Sequence, residues 1–376
     1  MMSDTPGPAA AGPGVGGWGR TTLSHEGLRE SKVHPSVGLR PEQMKGSKSR
    51  MQGKEVPERK TKTDCNVGID VCKSWLDVHV LPTGESLRVA NTREGIRKLK
   101  RWLRRFEVAL VAVEATGKWH RALHRSLHAA GLRVAVVDPF RVRMFARAQG
   151  ILAKTDRLDA RVLAAFAAVM DPAAQPPAPW EVEVLQELVR GRTSAVAERT
   201  SLRNQRAAAQ TSFLRHQLGQ RIRRLMKDVA GLGAEIKRLI AAAPGLVRRY
   251  RILLSIPGIG PVNAAMLVAC LPELGAASAG QIALLVGLAP IPDDSGDRRG
   301  YRRIKGGRQM VRNGLYLAAL TAARCNAPLR VFYKRKIDEK KPVKLALVAV
   351  ARKLVVLANS LIADDRTWTP EPPIHA

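Results

Sequence analysis

Acidic residues are scarce in this sequence relative to basic ones, and the imbalance indicates what kind of partner to expect. Aspartate and glutamate number 32 against 63 lysines and arginines, which gives a formal net charge of +31. An excess of this size is typical of proteins that bind a polyanion, most often nucleic acid. The 376 residues also suffice for two or three domains with hydrophobic cores of their own.

Cysteines and long apolar runs are few as well. The four cysteines form no CxxC pair and have no histidine-rich motif near them, which argues against a zinc site and against a disulfide framework. We find no apolar run long enough to span a bilayer; the run 282–291 is too short and is interrupted by Gly287 and Pro290. The first residues lack the apolar core of a signal peptide. We therefore predict a reduced cytoplasmic protein that associates with nucleic acid and not with membrane.

Both ends of the chain are predicted to be disordered. Residues 1–63 are rich in Gly and Pro up to Trp18 and then carry charges without apolar periodicity. This basic extension is either a tail that binds phosphates weakly or translated upstream sequence, with Met44 or Met51 near the true start. Residues 367–376 contain three prolines and form the second disordered segment.

Residues 64–170 carry the pattern of an α/β domain. Three short strand patterns are followed by helix, strand, helix, strand and helix, which gives the order β-β-β-α-β-α-β-α. This is the order of ribonuclease-H-like, or RuvC-like, domains, although other α/β folds share parts of it. The proline-rich linker 171–180 ends the domain.

The rest of the folded chain is predicted to be helical. Residues 181–245 place apolar side chains at helical spacing between many arginines, as in a helical hairpin or coiled coil. This coiled-coil segment is either a spacer or a surface for dimerisation or RNA contact. Residues 246–366 form a mainly helical carboxyl-terminal domain, so the fold class is α/β plus α.

The carboxyl-terminal domain contains a candidate phosphate-binding turn. Ile256-Pro257-Gly258-Ile259-Gly260 between two helical patterns is the helix-hairpin-helix signature. Gly258 and Gly260 would let the backbone approach a phosphate at the start of the second helix. The turn either binds DNA in this way or only packs against the rest of its domain. The basic stretch that follows supplies further phosphate-binding candidates: Arg298, Arg299, Arg302, Arg303 and Lys305.

Four carboxylates are candidate metal ligands. Asp70 and Glu114 each end a predicted strand, and strand carboxyl ends are where open α/β sheets place their sites. Asp156 and Asp159 open a helix three residues apart; taken alone, this pair also fits ordinary first-turn acids. Several carboxylates in one cleft would either raise each other's pKa or demand a cation, and oxygen ligands without His or Cys suit Mg²⁺ or Mn²⁺. Two such ions about 4 Å apart commonly cleave phosphodiesters.

Other polar residues are interpreted as structural. Asp138 before Pro139 fits a helix N-cap, and Asp77 alternates within a strand, facing away from its apolar neighbours. His120, His124 and His128 recur every four residues on one helix. Because no acidic or thiol partner accompanies them, we predict a polar helix face there instead of a zinc site.

The combination of motifs resembles the DEDD-type insertion-sequence transposases of the family numbered one hundred and ten. The resemblance runs from about residue 66 to residue 365. Its landmarks are Gly68-Ile69-Asp70-Val71 with Lys73, Val113-Glu114-Ala115-Thr116-Gly117, Lys154-Thr155-Asp156-Arg157-Leu158-Asp159-Ala160, Ile256-Pro257-Gly258-Ile259-Gly260, Gly287-Leu288-Ala289-Pro290 and Ser295-Gly296.

The resemblance implies a recombinase and assigns a role to each group of candidate residues. The acids Asp70, Glu114, Asp156 and Asp159 would bind magnesium, and Ser295 would be the nucleophile that joins DNA covalently; Ser255 and Ser278 are its local alternatives. A structured bridge RNA would pair with donor and target DNA in a bacterial or archaeal nucleoid. A dimer or tetramer is expected. Two alternatives are a RuvC-like structure-specific endonuclease that uses water, and a non-catalytic nucleic-acid-binding protein.

Overall fold

The computed structural model describes residues 64–151, 156–296 and 298–370, except for the side chains of residues 156 and 157. The predicted basic extension 1–63 and the end of the predicted tail, residues 371–376, lie outside the described residues. So do Lys154, Thr155 and Asp297.

The amino-terminal part of the described chain is a mixed α/β domain. Its elements follow the predicted β-β-β-α-β-α-β-α order and add a further helix, α4, at the end: β1 (Cys65–Val71), β2 (Trp75–Leu81), β3 (Ser86–Ala90), α1 (Arg93–Leu103), β4 (Val108–Glu114), α2 (Arg121–His128), β5 (Val134–Val137), α3 (Pro139–Ala148) and α4 (Asp156–Met170).

The five strands form one sheet in the order β3-β2-β1-β4-β5. β2 is antiparallel to β1 and β3, whereas β4 and β5 run parallel to β1. A tight turn suffices to connect antiparallel strands, but the parallel strands are joined through helices α1 and α2. The carboxyl ends of β1, β4 and β5 and the start of β2 therefore share one edge, called the carboxyl edge below. This topology fits the predicted ribonuclease-H-like arrangement.

Strand alternation gives the sheet two apolar faces. Val67, Ile69 and Val113 point to one face and pack in a cluster with residues of α1 and α2. Leu110 and Ala112 point to the opposite face, where they pack against α3 and α4. Burial on both faces explains why β1 and β4 read as nearly continuous apolar runs.

Two long helices follow the α/β domain. α5 (Trp180–Ala208) and α6 (Ser212–Ala242) are joined by three residues and pack along each other. Leu202 near the end of α5 meets Leu218 and Ile222 near the start of α6, so the pair is antiparallel. The predicted helical hairpin is present, while its interpretation as a coiled coil stays a prediction.

The remaining elements form a second large core. They are α7 (Pro244–Ser255), α8 (Pro261–Cys270), α9 (Ala279–Leu285), β6 (Pro290–Ile291), β7 (Arg303–Ile304), α10 (Gln309–Cys325), α11 (Ala327–Asp338) and α12 (Val343–Ala363). The core of this domain also takes in Leu185 and Val189 of α5 and Ile236 and Ile240 of α6.

One helix corrects the expectation that no apolar run is long enough to span a bilayer. The 21 residues of α12 suffice for that by length and composition. Half of its most apolar window is buried inside the protein, with Val350, Leu354 and Leu361 fully enclosed in the core. A helix surrounded by other helices is apolar on most sides, so packing accounts for this composition.

Two segments predicted to be loose are packed. In the linker, the Gln175 N–H donates to the Val134 carbonyl (2.9 Å), and Arg125 of α2 donates to the Ala178 carbonyl (2.8 Å). In the predicted tail, the Trp368 N–H donates to Ser255 Oγ (2.8 Å), and its ring packs on the core. Each segment is therefore held against the domain beside it.

Candidate functional site

Asp70 lies near the end of β1 on the face of the sheet that α4 covers. Strand alternation places it on the same face as Gly68, two residues earlier. A Cβ atom on Gly68 would collide with backbone atoms of Ala160 and Ala164 of α4. Helix α4 therefore rests directly on β1, just before Asp70.

Glu114 ends β4 beside Asp70. The register pairs Ile69 with Val113, so the next residue on each strand, Asp70 and Glu114, are also neighbours. Adjacent strands lie about 4.8 Å apart, and Glu114 shares the α4 face with Ala112. The two carboxylates are half-buried and stand side by side at the carboxyl edge.

Asp159 joins this face through α4. It precedes Ala160, whose backbone touches Gly68, and it is half-buried as well. Asp156 begins α4 one turn earlier, and its side chain lies outside the described residues. The elements that carry all four predicted acids are thus in contact, as the sequence analysis expected.

The described acids do not by themselves form a finished metal site. Among the described side chains, no three His, Cys, Asp or Glu residues lie close enough together to hold a metal ion. The donor chemistry fits a hard divalent cation nonetheless, because Asp70, Glu114 and Asp159 offer only oxygen atoms. All three lie on one sheet face, while the fourth acid falls outside the described side chains.

A buried ion pair adjoins the acids and was missed from the sequence. Asp77 pairs directly with Asp70 in the β1–β2 register and is only 5% exposed. The Arg88 guanidinium on β3 binds both Asp77 carboxylate oxygens, at 2.7 and 2.9 Å. Asp77 does face away from its apolar neighbours, as predicted. Its burial depends on a cross-strand arginine that only the strand register could reveal.

Of two further predictions about polar residues, one is confirmed and one is wrong. Asp138 is the N-cap of α3, and its carboxylate accepts the Phe140 N–H at 3.0 Å, as predicted. The predicted polar histidine face is wrong for His124, which is buried and bonds to the Gln175 carbonyl through Nε2 (2.8 Å). Burial lowers the pKa of His124.

Ser295 lies near the tip of a hairpin in the carboxyl-terminal domain. β6 and β7 form its base, and reciprocal backbone hydrogen bonds of 3.0 Å join Ser295 and Arg298 near its tip. Between these pairs, the Gly300 N–H donates to Asp294 Oδ1 at 3.0 Å. Ser295 is exposed, so its hydroxyl is accessible from solvent.

The two alternative serines have structural roles. Ser278 caps α9: its hydroxyl accepts the Gln281 N–H, and Gln281 accepts the Ser278 N–H in return. Ser255 Oγ donates to the Ile252 carbonyl (2.7 Å) and accepts the Trp368 N–H (2.8 Å). Both hydroxyls are therefore engaged in holding the fold.

The candidate phosphate-binding cations surround the same hairpin. None of them forms an ion pair among the described residues, and all are exposed: Arg298, Arg299, Arg302, Arg303 and Lys305. Arg308, just beyond, behaves differently. Its guanidinium binds both carboxylate oxygens of Glu273, at 2.5 and 2.6 Å, which holds the pKa of Glu273 low despite partial burial.

The two glycines of the predicted phosphate-binding turn face different surroundings. Gly258 has a φ of +108°, and a Cβ there would lie 2.5 Å from the Ala322 side chain of α10. Gly260 caps α8 and is exposed, with nothing within 4 Å of the position of a Cβ. The close backbone approach at Gly258 is thus to the protein itself, and Gly260 is the glycine that faces solvent.

The hairpin that carries Ser295, called the serine hairpin below, and the four acids lie in different domains. Among the described residues, β6 and β7 pack mainly against each other and make no substantial contact with β1, β4 or α4. The structure therefore brings together the elements that carry the four acids, and it places Ser295 on a hairpin whose strands, among the described residues, do not pack substantially against those elements.

Two transposase family models match separate parts of the chain. A DEDD-type IS110 transposase model matches residues 67–213, which include all four acids. A model of the transposase IS116/IS110/IS902 family matches residues 250–334, which include Ser295 and both turn glycines. The two matches fall on either side of the carboxyl-terminal part of the helical hairpin.

Full-length relatives extend these matches. The chain is 26% identical over 317 residues to a pilin gene-inverting protein of Moraxella bovis, covering 80% of this chain and 97% of the relative. It is 25% identical over 338 residues to a probable family 20 transposase of Pseudomonas aeruginosa, covering 81% and 98%. A 44.8 kDa protein of insertion element IS116 from Streptomyces clavuligerus is 38% identical over 128 residues, 34% of this chain and 32% of that protein.

Transposases act on DNA, and DEDD transposases generally use divalent metal ions. The resemblance first drawn from motifs is confirmed by the two models, which belong to one family and together cover more than half of the residues. This chain belongs to the IS110 family of insertion-sequence transposases.

Proposed function

We propose that this protein is a DNA recombinase that cleaves and rejoins strands through a covalent bond between Ser295 and DNA. The observation that carries the proposal is the placement of Asp70 and Glu114 at the carboxyl edge, each one residue beyond the paired Ile69 and Val113, with α4 and Asp159 on the same face. Carboxylates gathered beside an exposed edge are the arrangement that holds a phosphodiester through divalent cations.

The metal ligands in this proposal are Asp70, Glu114, Asp156 and Asp159. Magnesium, or manganese in its place, neutralises phosphate charge when bound. The chain's own contribution is to fix the acids on rigid elements: two sit on paired strands and two on a helix that cannot move away from Gly68 without opening the core. Such rigidity keeps the ligands in register with a substrate phosphate.

The proposed reaction conserves the number of phosphodiester bonds. Ser295 Oγ attacks phosphorus, an Oγ–P bond forms, and a P–O bond to deoxyribose breaks. The serine proton passes to a carboxylate, and the leaving deoxyribose oxygen takes up a proton. A hydroxyl of a second strand then attacks the phosphoserine, which restores Ser295 and joins the new pair of strands. Ser295 suits this role because it is exposed near a hairpin tip among cations that form no ion pair within the described part of the chain, whereas Ser255 and Ser278 are engaged.

Because Ser295 and the acids belong to different domains, the proposal includes an assembly step. The hairpin must reach an acidic edge, either by domain motion or by association of two or four chains around DNA. The α5–α6 hairpin offers a surface for such association or for RNA contact, since arginines line its exposed sides.

A guide RNA fits the distribution of charge. The net charge of +31 is well beyond what one DNA site needs, and sequence selection can be delegated to base pairing. We propose that a structured bridge RNA binds the chain and pairs with donor and target DNA. RNA that copurifies with the full-length protein as one discrete species would support this; heterogeneous RNA, or none, would contradict it.

Trapping the covalent bond tests the nucleophile. Full-length protein, magnesium and a labelled DNA containing the element's ends should give a protein–DNA adduct on denaturing gels, and Ser295→Ala should give none. Ser278→Ala is the matched control: it loses an N-cap worth about 1 kcal/mol but should keep the adduct. An adduct that persists in Ser295→Ala would show that another residue attacks.

The acids are tested in the same assay. Asp70→Asn and Asp156→Asn should abolish cleavage while leaving the melting temperature within a few degrees of the parent protein. A second function is favoured by the placement of Ser295 in a different domain from the acids: a structure-specific endonuclease in which water attacks. That enzyme would cleave without any adduct and would lose activity in Asp70→Asn but not in Ser295→Ala. If the parent protein cleaves nothing in magnesium or manganese, a purely binding role remains.

A further inference from the structure

Exposed aromatic side chains cluster at the carboxyl edge of the α/β domain. Aromatic residues make up only 4% of the chain. Three of them are exposed beside this edge: Trp75 (48%), Trp119 (37%) and Phe140 (67%). Solvent-exposed rings in so aromatic-poor a chain point to a surface that meets a ligand.

The three rings follow the order of the strands. Trp75 begins β2, Trp119 lies five residues beyond Glu114 at the end of β4, and Phe140 is the second residue of α3, after β5. Since the sheet order is β2-β1-β4-β5, these positions flank Asp70 and Glu114. Neighbouring strands are about 4.8 Å apart, so the row is about as long as a few nucleotides.

The loop that carries Trp119 is anchored. Asn91 Nδ2 donates to the Cys72 carbonyl after β1 (2.8 Å) and to the Trp119 carbonyl after β4 (3.3 Å). The Trp119 N–H donates to the Thr116 carbonyl at 3.1 Å. One asparagine therefore ties together the loops that follow the two acid-bearing strands, which fixes the backbone of Trp119 beside the acids.

Cations accompany the central ring. The Lys73 ammonium lies 5.9 Å and the Lys118 ammonium 5.3 Å from the centre of the Trp119 ring, and both lysines are exposed. Protein–protein interfaces are depleted in lysine relative to the rest of the surface. Aromatic rings interleaved with lysines instead match a strand whose bases stack and whose phosphates pair with ammonium groups.

We propose that the carboxyl edge binds an unpaired DNA strand, with one base stacked on Trp119 and its neighbours on Trp75 and Phe140. Stacking would hold the phosphate between two of these bases over Asp70 and Glu114. The inference rests on the proposed function in one respect, namely that DNA is the nucleic acid presented to the acids. Duplex DNA offers no exposed base faces, so the site selects strands that are already unpaired or splayed apart.

Binding by full-length variants tests the proposal without requiring catalysis. In an Asp70→Asn background, the affinity for labelled oligothymidylate is measured by fluorescence anisotropy. Trp119→Ala should weaken binding by about tenfold, the usual contribution of one stacked base, and Trp119→Phe should restore most of it. Trp180→Ala removes a tryptophan that is 65% exposed at the start of α5 and should leave the affinity unchanged.

Three outcomes of these single-strand measurements overturn the proposal, and a fourth comes from duplex DNA. These are an unchanged affinity in Trp119→Ala, an equal loss in Trp180→Ala, and a loss seen with oligouridylate but not with oligothymidylate, which would assign the edge to RNA. A loss of blunt-duplex binding as large as that of single-strand binding would also contradict stacking.

Failure of the proposed reaction would look different. If the parent protein forms no adduct but Trp119→Ala still weakens oligothymidylate binding, the strand-binding site stands and the serine chemistry falls. If the adduct forms at parental yield in Trp119→Ala and oligothymidylate affinity is unchanged, the chemistry stands and this site falls.

Discussion

Gly68 determines whether α4 can lie on β1, and with it where Asp159 stands. A methyl group at this position would meet backbone atoms of Ala160 and Ala164, and the carbonyl carbon of Leu163 would lie 2.8 Å away. Backbone cannot rotate aside as a flexible side chain can, so α4 would have to lift away from the strand.

We therefore expect Gly68→Ala to destabilise the protein by about 1–3 kcal/mol, the usual effect of overpacking a core, and to reduce DNA cleavage further than its loss of stability explains. Urea unfolding measures the first effect and adduct yield the second. Gly191→Ala is the control, since it lies in α5 with open space around it and should be neutral or stabilising. Equal stability of Gly68→Ala and the parent would contradict the close packing of α4.

The buried histidine of α2 makes stability depend on pH. Burial lowers the pKa of His124 below its ordinary value, so the folded protein binds this proton less readily than the unfolded chain does. Stability from neutral His124 is fully present above the unfolded pKa of about 6.5 and is lost as pH falls below it.

His124→Gln should accordingly flatten the fall in melting temperature between about pH 7.5 and pH 5.5. Glutamine can still donate to the Gln175 carbonyl, which the imidazole now contacts at 2.8 Å. His216→Gln, at an exposed site on α6, should leave the pH profile unchanged. A His124→Gln profile that matches the parent's would show that this imidazole does not carry the dependence.

These residues also show what the sequence could and could not predict. Asp70 and Glu114 were predictable because a strand end followed by a turn is visible in local pattern alone. The Asp77–Arg88 pair and the burial of His124 were not, because each depends on which distant segment lies opposite. The hypothesis that Ser295 is the nucleophile came only from resemblance, since an exposed serine in a polar loop carries no local signal.

At the scale of elements, the α7–turn–α8 unit is built around Gly258. Its φ of +108° is unfavourable for any other residue, and Ala322 of α10 closes the space beside it. Gly260 in the same turn is exposed and has room for a methyl group. Gly258 is therefore needed for the turn to fold, whereas Gly260 leaves the start of α8 accessible from solvent.

Gly258→Ala should lower the free energy of unfolding by about 2 kcal/mol or more, from backbone strain together with the contact to Ala322. Gly260→Ala should fold normally, and any loss of DNA affinity in it would assign the α8 amino terminus to a phosphate. Thermal unfolding and anisotropy separate the two effects. A stable Gly258→Ala protein with reduced DNA affinity would instead place the phosphate at Gly258.

The type of each element, helix or strand, was predictable from periodicity. The segments whose packing was not predicted share one cause. The α/β order, the helical hairpin and the turn between α7 and α8 were all visible in local patterns of apolar residues, glycine and proline. The linker and Trp368 were predicted to be loose because proline-rich sequence lacks periodicity. Both are held by contacts with distant parts of the chain, which no local pattern encodes: the linker bonds to Val134 and Arg125, and Trp368 bonds to Ser255 and packs on the core.

At the scale of the whole molecule, the excess of positive charge should dominate affinity for nucleic acid. Each lysine or arginine that neutralises a phosphate releases a counterion, so affinity falls as salt rises. The exposed cations of the serine hairpin form no ion pairs among the described residues and are free to bind phosphate, whereas Arg308 is already held by Glu273.

Each hairpin cation that is replaced should therefore reduce the salt dependence of DNA affinity by a similar amount. In a plot of log affinity for duplex DNA against log salt concentration, Arg302→Gln and Arg303→Gln should each reduce the slope by about 1. Arg308→Gln breaks the ion pair with Glu273, so it should lower the melting temperature and leave the slope near that of the parent. If all three variants change the slope equally, phosphate contact does not distinguish the hairpin from the cations around it. If Arg302→Gln and Arg303→Gln keep the full slope, duplex DNA binds elsewhere on the chain, and Ser295 lies too far from a phosphate to attack it.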